Sequence, residues 1–301
     1  MASIPRSRPF PGLHRNRYHV RRTVLTPILL AVFACALQAQ PKLAFDRVAL
    51  HQFEDGPVLA ANYEFAPGET AYFSCRITGY QIAKSDDQQG VKLSWQMRVL
   101  DPAGIPLEKD PSGRIEDTVL PQDKDWKPKF LTSFIVPGFA PTGTYHIPVK
   151  LKDEIAGKEI TTDLSFQVHG HDIQPSATLL ARNFQFLRSE DDRIPMHPAV
   201  YHPGDMLWAR FDIAGYKFGD GNHFSVAYGL AILNAAGEQL FAQPDAASEE
   251  KSSFYPQRYV PGVLSLSLDR NVVKAAYTLV VTIHDKVGNQ TWEMKQPFQV
   301  E

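Results

Sequence analysis

The sequence predicts an all-β protein of two tandem antiparallel β-sandwiches, made by internal duplication and preceded by an N-terminal signal peptide. Three observations predict it. Apolar and polar residues alternate with a period of two, the same series of turns and strands occurs twice, and a basic, apolar, then small-residue leader opens the chain.

The alternation is clearest where Val91, Leu93, Trp95, Met97 and Val99 interleave with Lys92, Ser94, Gln96 and Arg98, as in a half-buried strand. Phe224, Val226, Tyr228, Leu230 and Ile232 repeat it, as do Tyr145, Ile147, Val149 and Leu151, and again Tyr277, Leu279, Val281 and Ile283. Turn signals separate such runs: Asp101-Pro102-Ala103-Gly104, Asn234-Ala235-Ala236-Gly237 and Val287-Gly288-Asn289. No segment carries a helical period, and 23 prolines oppose long helices. Short strands at regular spacing between turns predict sandwiches.

The duplication begins at FAPGETAYFSCRITGY (65–80) and YHPGDMLWARFDIAGY (201–216), which share five identities in 16 positions. Further matches follow in the same order. VKLSWQMRVLDPAGIPL from Val91 aligns with FSVAYGLAILNAAGEQL from Phe224, GTYHIPVKLKDEIAGK from Gly143 with AAYTLVVTIHDKVGNQ from Ala275, and LSFQV with QPFQV. The offset drifts only from 136 to 132, as small loop insertions require. The units expected are residues 42–170 and 176–301, joined by a flexible linker near His169–Ser176.

The leader accounts for residues 1–39. Arg6, Arg8, Arg15, Arg17, Arg21 and Arg22 precede the apolar run Val24–Leu37, and Gln38-Ala39-Gln40 follows. Cleavage is expected after Ala39 or Ala36. A 14-residue run containing Pro27 is short for a membrane span of about 20 residues. A membrane link would come only from an uncleaved leader or a lipidated Cys35. Without its six arginines the chain has 25 basic against 33 acidic residues, a net of −8. That sign repels phosphate backbones and excludes nucleic acid as the expected partner. One cysteine then remains, Cys75, so no disulfide forms within the chain and the cores must supply the stability.

Pro-Gly-acid before an alternating strand, a strand running into Asp/Asn-x-x-Gly, and Gly/Ala-x-Tyr entering a strand that closes on Asp resemble bacterial Ig-like or macroglobulin-type β-sandwich domains. The resemblance implies a tandem Ig-like fold, with Trp95 and Tyr228 at the central core-aromatic position. The antibody-type cysteine pair is absent, since Cys75 stands alone and Phe211 takes its place in the second copy. No macroglobulin thioester motif is present.

Catalytic motifs are missing: there is no Gly-x-Ser-x-Gly, His-Glu-x-x-His or P-loop. No enzyme activity, cofactor or metal is therefore expected. His169-Gly170-His171 offers two imidazoles where a metal needs more ligands. Asp153 and Asp285 end equivalent strands before glycine turns, which reads as side-chain capping of the turn rather than a calcium site. The candidate binding residues are Trp126, Lys127 and Lys129 in the first unit and Phe254, Tyr255, Arg258 and Tyr259 in the second. Both groups precede an expected strand, beginning near Phe130 and Leu264. Aromatic residues on loops stack on sugars or fill a partner's pocket, and the basic neighbours suit an anionic partner. The other reading, lids over the open end of each unit's own sandwich, stays open. The expected function is an exported, non-catalytic adhesion, scaffold or protein-interaction module of the periplasm or cell surface, with an envelope protein or polysaccharide as partner. The alternative is a carbohydrate-binding accessory or, less favoured, an extracellular hydrolase.

Overall fold

The computed structural model describes residues 42–301 except Asp86, Asp87 and Lys124. The signal-peptide reading of residues 1–39 and the lipidation of Cys35 lie outside the described residues. The first half contains β1 (Ala44–His51), β2 (Glu64–Phe65), β3 (Thr70–Thr78), β4 (Ala83–Ser85), β5 (Gln88–Met97), β6 (Ser112–Thr118), β7 (Lys129–Ile135), β8 (Gly143–Asp153) and β9 (Lys158–Val168). The second contains β10 (Leu180–Leu187), β11 (Val200–Tyr201), β12 (Met206–Ala214), β13 (Phe224–Leu233), β14 (Gln239–Lys251), β15 (Tyr259–Ser267), β16 (Ala276–Asp285) and β17 (Gln290–Val300).

In the first sandwich one sheet has the order β1-β3-β7 and the other β2-β9-β8-β5-β4, with β6 also paired to β5. The second repeats this as β10-β12-β15 and β11-β17-β16-β13-β14. Pairing is antiparallel except for the short β2 on β9 and β11 on β17. This is the strand arrangement of an immunoglobulin-type sandwich, and it occurs twice. The extra strand β4 sits where the offset between the copies falls from 136 to 133, which locates the insertion.

The shared motif has a physical cause at each end. Gly68 and Gly204 have φ +86° and +92°, a conformation that glycine adopts without strain. The next carboxylate closes the turn: Glu69 Oε2 accepts from the Ala66 N–H at 2.9 Å and Asp205 Oδ2 from the His202 N–H at 2.8 Å. Gly79 and Gly215 also have positive φ, and a Cβ there would meet the carbonyl oxygen of Lys42 or Thr178 at 2.1 or 2.0 Å. Tyr80 and Tyr216 then donate their hydroxyls to the carbonyls of Trp126 and Gln257, pinning the loop before β7 or β15.

Alternate residues fill each core. Tyr145, Ile147, Val149 and Leu151 are buried along β8, and Leu279, Val281 and Ile283 along β16. Tyr145 and Tyr277 donate to the carbonyls of Pro141 and Val273, each four residues upstream, at 2.9 and 2.7 Å. That is the tyrosine corner of immunoglobulin-type sandwiches. One cross-strand pair changes size between copies without changing its place. Cys75 pairs with Phe130, whose ring stacks on Trp95 at 4.1 Å. In the second copy Phe211 pairs with Gly262, and a Cβ on Gly262 would lie 2.3 Å from the Phe211 ring. The large residue has moved to the other strand, and the glycine makes room for it.

Asp153 and Asp285 are buried turn caps. Asp153 Oδ1 accepts from Ile155 and Ala156, both at 3.0 Å, and Oδ2 from Gln81 at 2.7 Å. Asp285 takes Val287 and Gly288 on Oδ1 and Lys217 and Gln290 on Oδ2.

Two readings of the sequence need correction. Strand β15 begins at Tyr259, five residues before the expected Leu264, because Tyr259 pairs with Ala214 at the end of β12. In the segment after His169, Gly170 is closely packed. A Cβ at Gly170 would meet the Ala140 carbonyl oxygen at 2.0 Å, and Thr142 Oγ1 bonds both Gly170 N–H and C=O at 3.0 Å.

Candidate functional site

The turn at Asp101 is the centre of the site. The side chain is fully enclosed, with 0% exposure. Its Oδ1 accepts from the Ala103 and Ile105 N–H groups at 2.8 Å each, which fixes the turn between β5 and β6. Its Oδ2 faces the second sandwich and accepts the Tyr255 hydroxyl at 2.9 Å and Arg258 Nη2 at 2.8 Å. A buried carboxylate is tolerable when paired and fully hydrogen-bonded, and these four donors meet that need.

Tyr255 lies within the first sandwich's buried cluster, which contains Val99, Leu107, Val136, Ala140 and Tyr145. Burial, followed by the Asp101 charge, holds its phenol well above the ordinary tyrosine range. Burial likewise raises Tyr145, again with the Asp101 charge adding to it. Both hydroxyls therefore stay protonated and able to donate.

Beside this clasp is a cleft of about 950 Å³ between the sandwiches. Pro102, Ala103, Phe139 and Thr142 of the first sandwich line it, with the connecting residues His171–Pro175 and with Arg182, Asn183, Arg258 and Tyr259 of the second. Tyr259 meets Phe139 edge-on at 5.3 Å and lies 5.2 Å from the His171 ring. Asp212 Oδ2 accepts from His171 Nε2 at 2.9 Å and from Asn183 Nδ2 at 2.8 Å. Asn183 has φ 52° where the β10–β12 pairing slips between Arg182 and Gln185. The irregularity turns Asn183 toward Asp212, a use of strain common at binding sites. Arg182 Nε is buried with no hydrogen-bond partner among the described residues. Two guanidinium groups, an imidazole and two aromatic rings thus meet in one concave space, with the Asp172 carboxylate also in the lining and Arg258 and His171 already paired with Asp101 and Asp212.

The residues expected from sequence separate into two groups. Tyr255, Arg258 and Tyr259 come together at the junction. Tyr255 neither offers an open ring nor closes its own sandwich; it closes the end of the other one. Phe254 is 51% exposed, and its carbonyl accepts from Asn222 Nδ2 at 2.7 Å. Trp126, Lys127 and Lys129 find their partners within the first sandwich. Trp126 is half-buried against its core, edge-on to Tyr80 at 6.2 Å. Lys127 pairs with Asp46 at 2.7 Å and Lys129 with Asp55. The Lys127 hydrogen bond holds the Asp46 carboxyl below its usual range. The two aromatic segments do not match residue by residue: the carbonyls bonded by Tyr80 and Tyr216 equate Trp126 with Gln257.

Sequence reasoning missed Asp101, Asp212, Arg182 and Asn183. Only Asp101 left a trace, as aspartate at a repeated turn where the second copy has Asn234.

No protein-family model matches the chain, and no curated relative matches it. Among solved structures it is similar to the C-terminal domain of the BspA AgI/II polypeptide of Streptococcus agalactiae, at 10% identity over 85% of this chain and 100% of that one, with a TM-score of 0.29. A structure named BspA_C_WT gives 9% identity over 84% and 99%, with a TM-score of 0.29. A family 123 glycoside hydrolase from Clostridium perfringens gives 12% identity over 41% of this chain and 27% of that one, with a TM-score of 0.28. At such scores these likenesses carry no argument about what this chain does.

Proposed function

We propose that the chain is an exported, non-catalytic protein-interaction module of the cell envelope. On this reading residues 1–39 are a signal peptide, and residues 42–170 and 176–301 are two Ig-like sandwiches clasped into a tandem. The cleft between them binds an anionic segment of an envelope protein. The observation that carries the reading is the convergence of Arg182, Arg258, His171 and Tyr259 in one concave junction, beside a clasp that fixes both walls. The neighbouring Tyr259 and Phe139 rings favour a second reading, an acidic polysaccharide stacked across them.

The test is retention of immobilised protein on envelope-protein and on polysaccharide fractions, for the natural chain and for Arg182→Ala. The first reading expects protein-fraction retention that falls with Arg182→Ala and with added salt. Retention confined to polysaccharide supports the second, and retention unchanged in Arg182→Ala removes the cleft from either.

A further inference from the structure

The second sandwich carries an apolar groove, empty of any described residue, lined by the counterparts of residues that share the first sandwich's core with Tyr255. Each lining position has its counterpart through the repeat. Val99, Leu107, Val136, Ala140 and Tyr145 correspond to Ile232, Leu240, Leu268, Val272 and Tyr277. In the first sandwich these side chains share one buried cluster with Tyr255, and Leu107 is only 5% exposed. In the second they line an open apolar groove of about 280 Å³, and Leu240 is 57% exposed with Phe241 at its rim.

The turn that receives Tyr255 in the first sandwich has its counterpart at Asn234 in the second. Asn234 Oδ1 accepts from the Ala236 and Glu238 N–H groups at 2.9 Å each, as Asp101 Oδ1 does from Ala103 and Ile105. The oxygen that serves Tyr255 and Arg258 is replaced by Asn234 Nδ2, which donates to Glu238 Oε2 at 2.8 Å. The turn has kept its shape while its carboxylate has moved from residue 101 to Glu238, which stands where the first copy has Ile105. An acceptor and a negative charge remain on the turn that precedes Leu240 of the groove.

We infer that this groove is a docking site for a loop tyrosine, followed by a basic residue, on a β-sandwich domain of a partner protein. The occupant is defined by the interface already formed within the chain: the ring enters between Ile232, Leu240, Leu268 and Tyr277, and the hydroxyl and the cation meet Glu238. The second sandwich would then receive a further domain as the first receives the second, a head-to-tail contact that extends rather than closes. The inference rests on the reading of the chain as an interaction module, but it uses a surface separate from the cleft.

The probe is a cyclised peptide of this chain's own Ser252–Tyr259, titrated calorimetrically into the intact protein. One saturable site per chain is expected, weakened at least about tenfold by Leu240→Arg in the protein and by Tyr255→Ala in the peptide. The full chain carrying Tyr255→Ala, with both grooves open, should bind two peptides. Absence of binding to the intact chain overturns the proposal, as does binding indifferent to Leu240→Arg. Self-association of the intact chain that Leu240→Arg abolishes would overturn the stated occupant and assign the groove to a second copy. If Leu240→Arg loses the peptide but keeps envelope retention, the groove stands and the retention belongs to the cleft. Loss of retention in Arg182→Ala with peptide binding intact makes the same separation from the other side.

Discussion

Tyr255 donates its hydroxyl to Asp101 Oδ2 at 2.9 Å across 154 residues of sequence, joining the loop before β15 to the turn after β5. A turn-capping residue of one copy has become the receptor for a loop of the other.

Removing only the hydroxyl, with Tyr255→Phe, leaves Asp101 buried with three donors instead of four. The expected loss is about 1.5–3 kcal/mol in the denaturant transition of the first sandwich, the usual size for a hydrogen bond to a charged group. Asp101→Ala should cost more, about 3–5 kcal/mol, because it unpairs Arg258 and uncaps the turn together. Urea denaturation followed by tryptophan fluorescence measures both.

Gly262→Ala drives a methyl into the Phe211 ring at 2.3 Å and should destabilise the second sandwich by about 1–3 kcal/mol. Transplanting the first copy's solution, Phe211→Cys with Gly262→Phe, should recover much of that loss. A double variant no better than Gly262→Ala would show that the two cores are not interchangeable at this pair.

Alkali should unfold the chain cooperatively. Burial raises Tyr145, Tyr201, Tyr216 and Tyr255 above their ordinary 10.0. Groups with raised folded pKa contribute stability that is complete below pH 10 and is lost as pH rises beyond it. Spectrophotometric titration should show a fraction of the tyrosines ionising only together with loss of the β-sheet signal. Early, independent ionisation of all tyrosines would contradict the burial described.

Cys75 reports on the same core. Burial pushes its thiol up to about 12, so little thiolate is present at pH 8 and none is accessible. Labelling by a maleimide should proceed only through unfolding of the first sandwich. It should accelerate in Tyr255→Phe about tenfold for each 1.4 kcal/mol of stability lost.

The fold was readable from sequence because its determinants are local. Pro67-Gly68 and Pro203-Gly204 set a positive-φ turn, Gly79 and Gly215 lie against the start of the first strand, and period-two alternation assigns each strand's buried face. The same logic read Asp153 and Asp285 as turn caps. The site was only half readable. Tyr255, Arg258 and Tyr259 stood out by composition, but alternation says which face of a strand is buried and nothing about which end of which sandwich a loop will meet. Tyr255 looked like a surface aromatic because its cover lies 154 residues away. Asp101 looked like an ordinary turn residue because its second oxygen is used by another domain. The substitution of Asn234 for aspartate at the repeated turn was the one visible sign of unequal roles.

The most direct measurement is small-angle X-ray scattering of the chain, natural and with Tyr255→Ala plus Arg258→Ala. A narrow distance distribution is expected for the natural chain, fitted by one arrangement of the sandwiches, and a broadened, longer distribution for the variant while each sandwich remains folded. Superimposable profiles would contradict it, because the sandwiches would then be held together by something other than the Asp101 clasp.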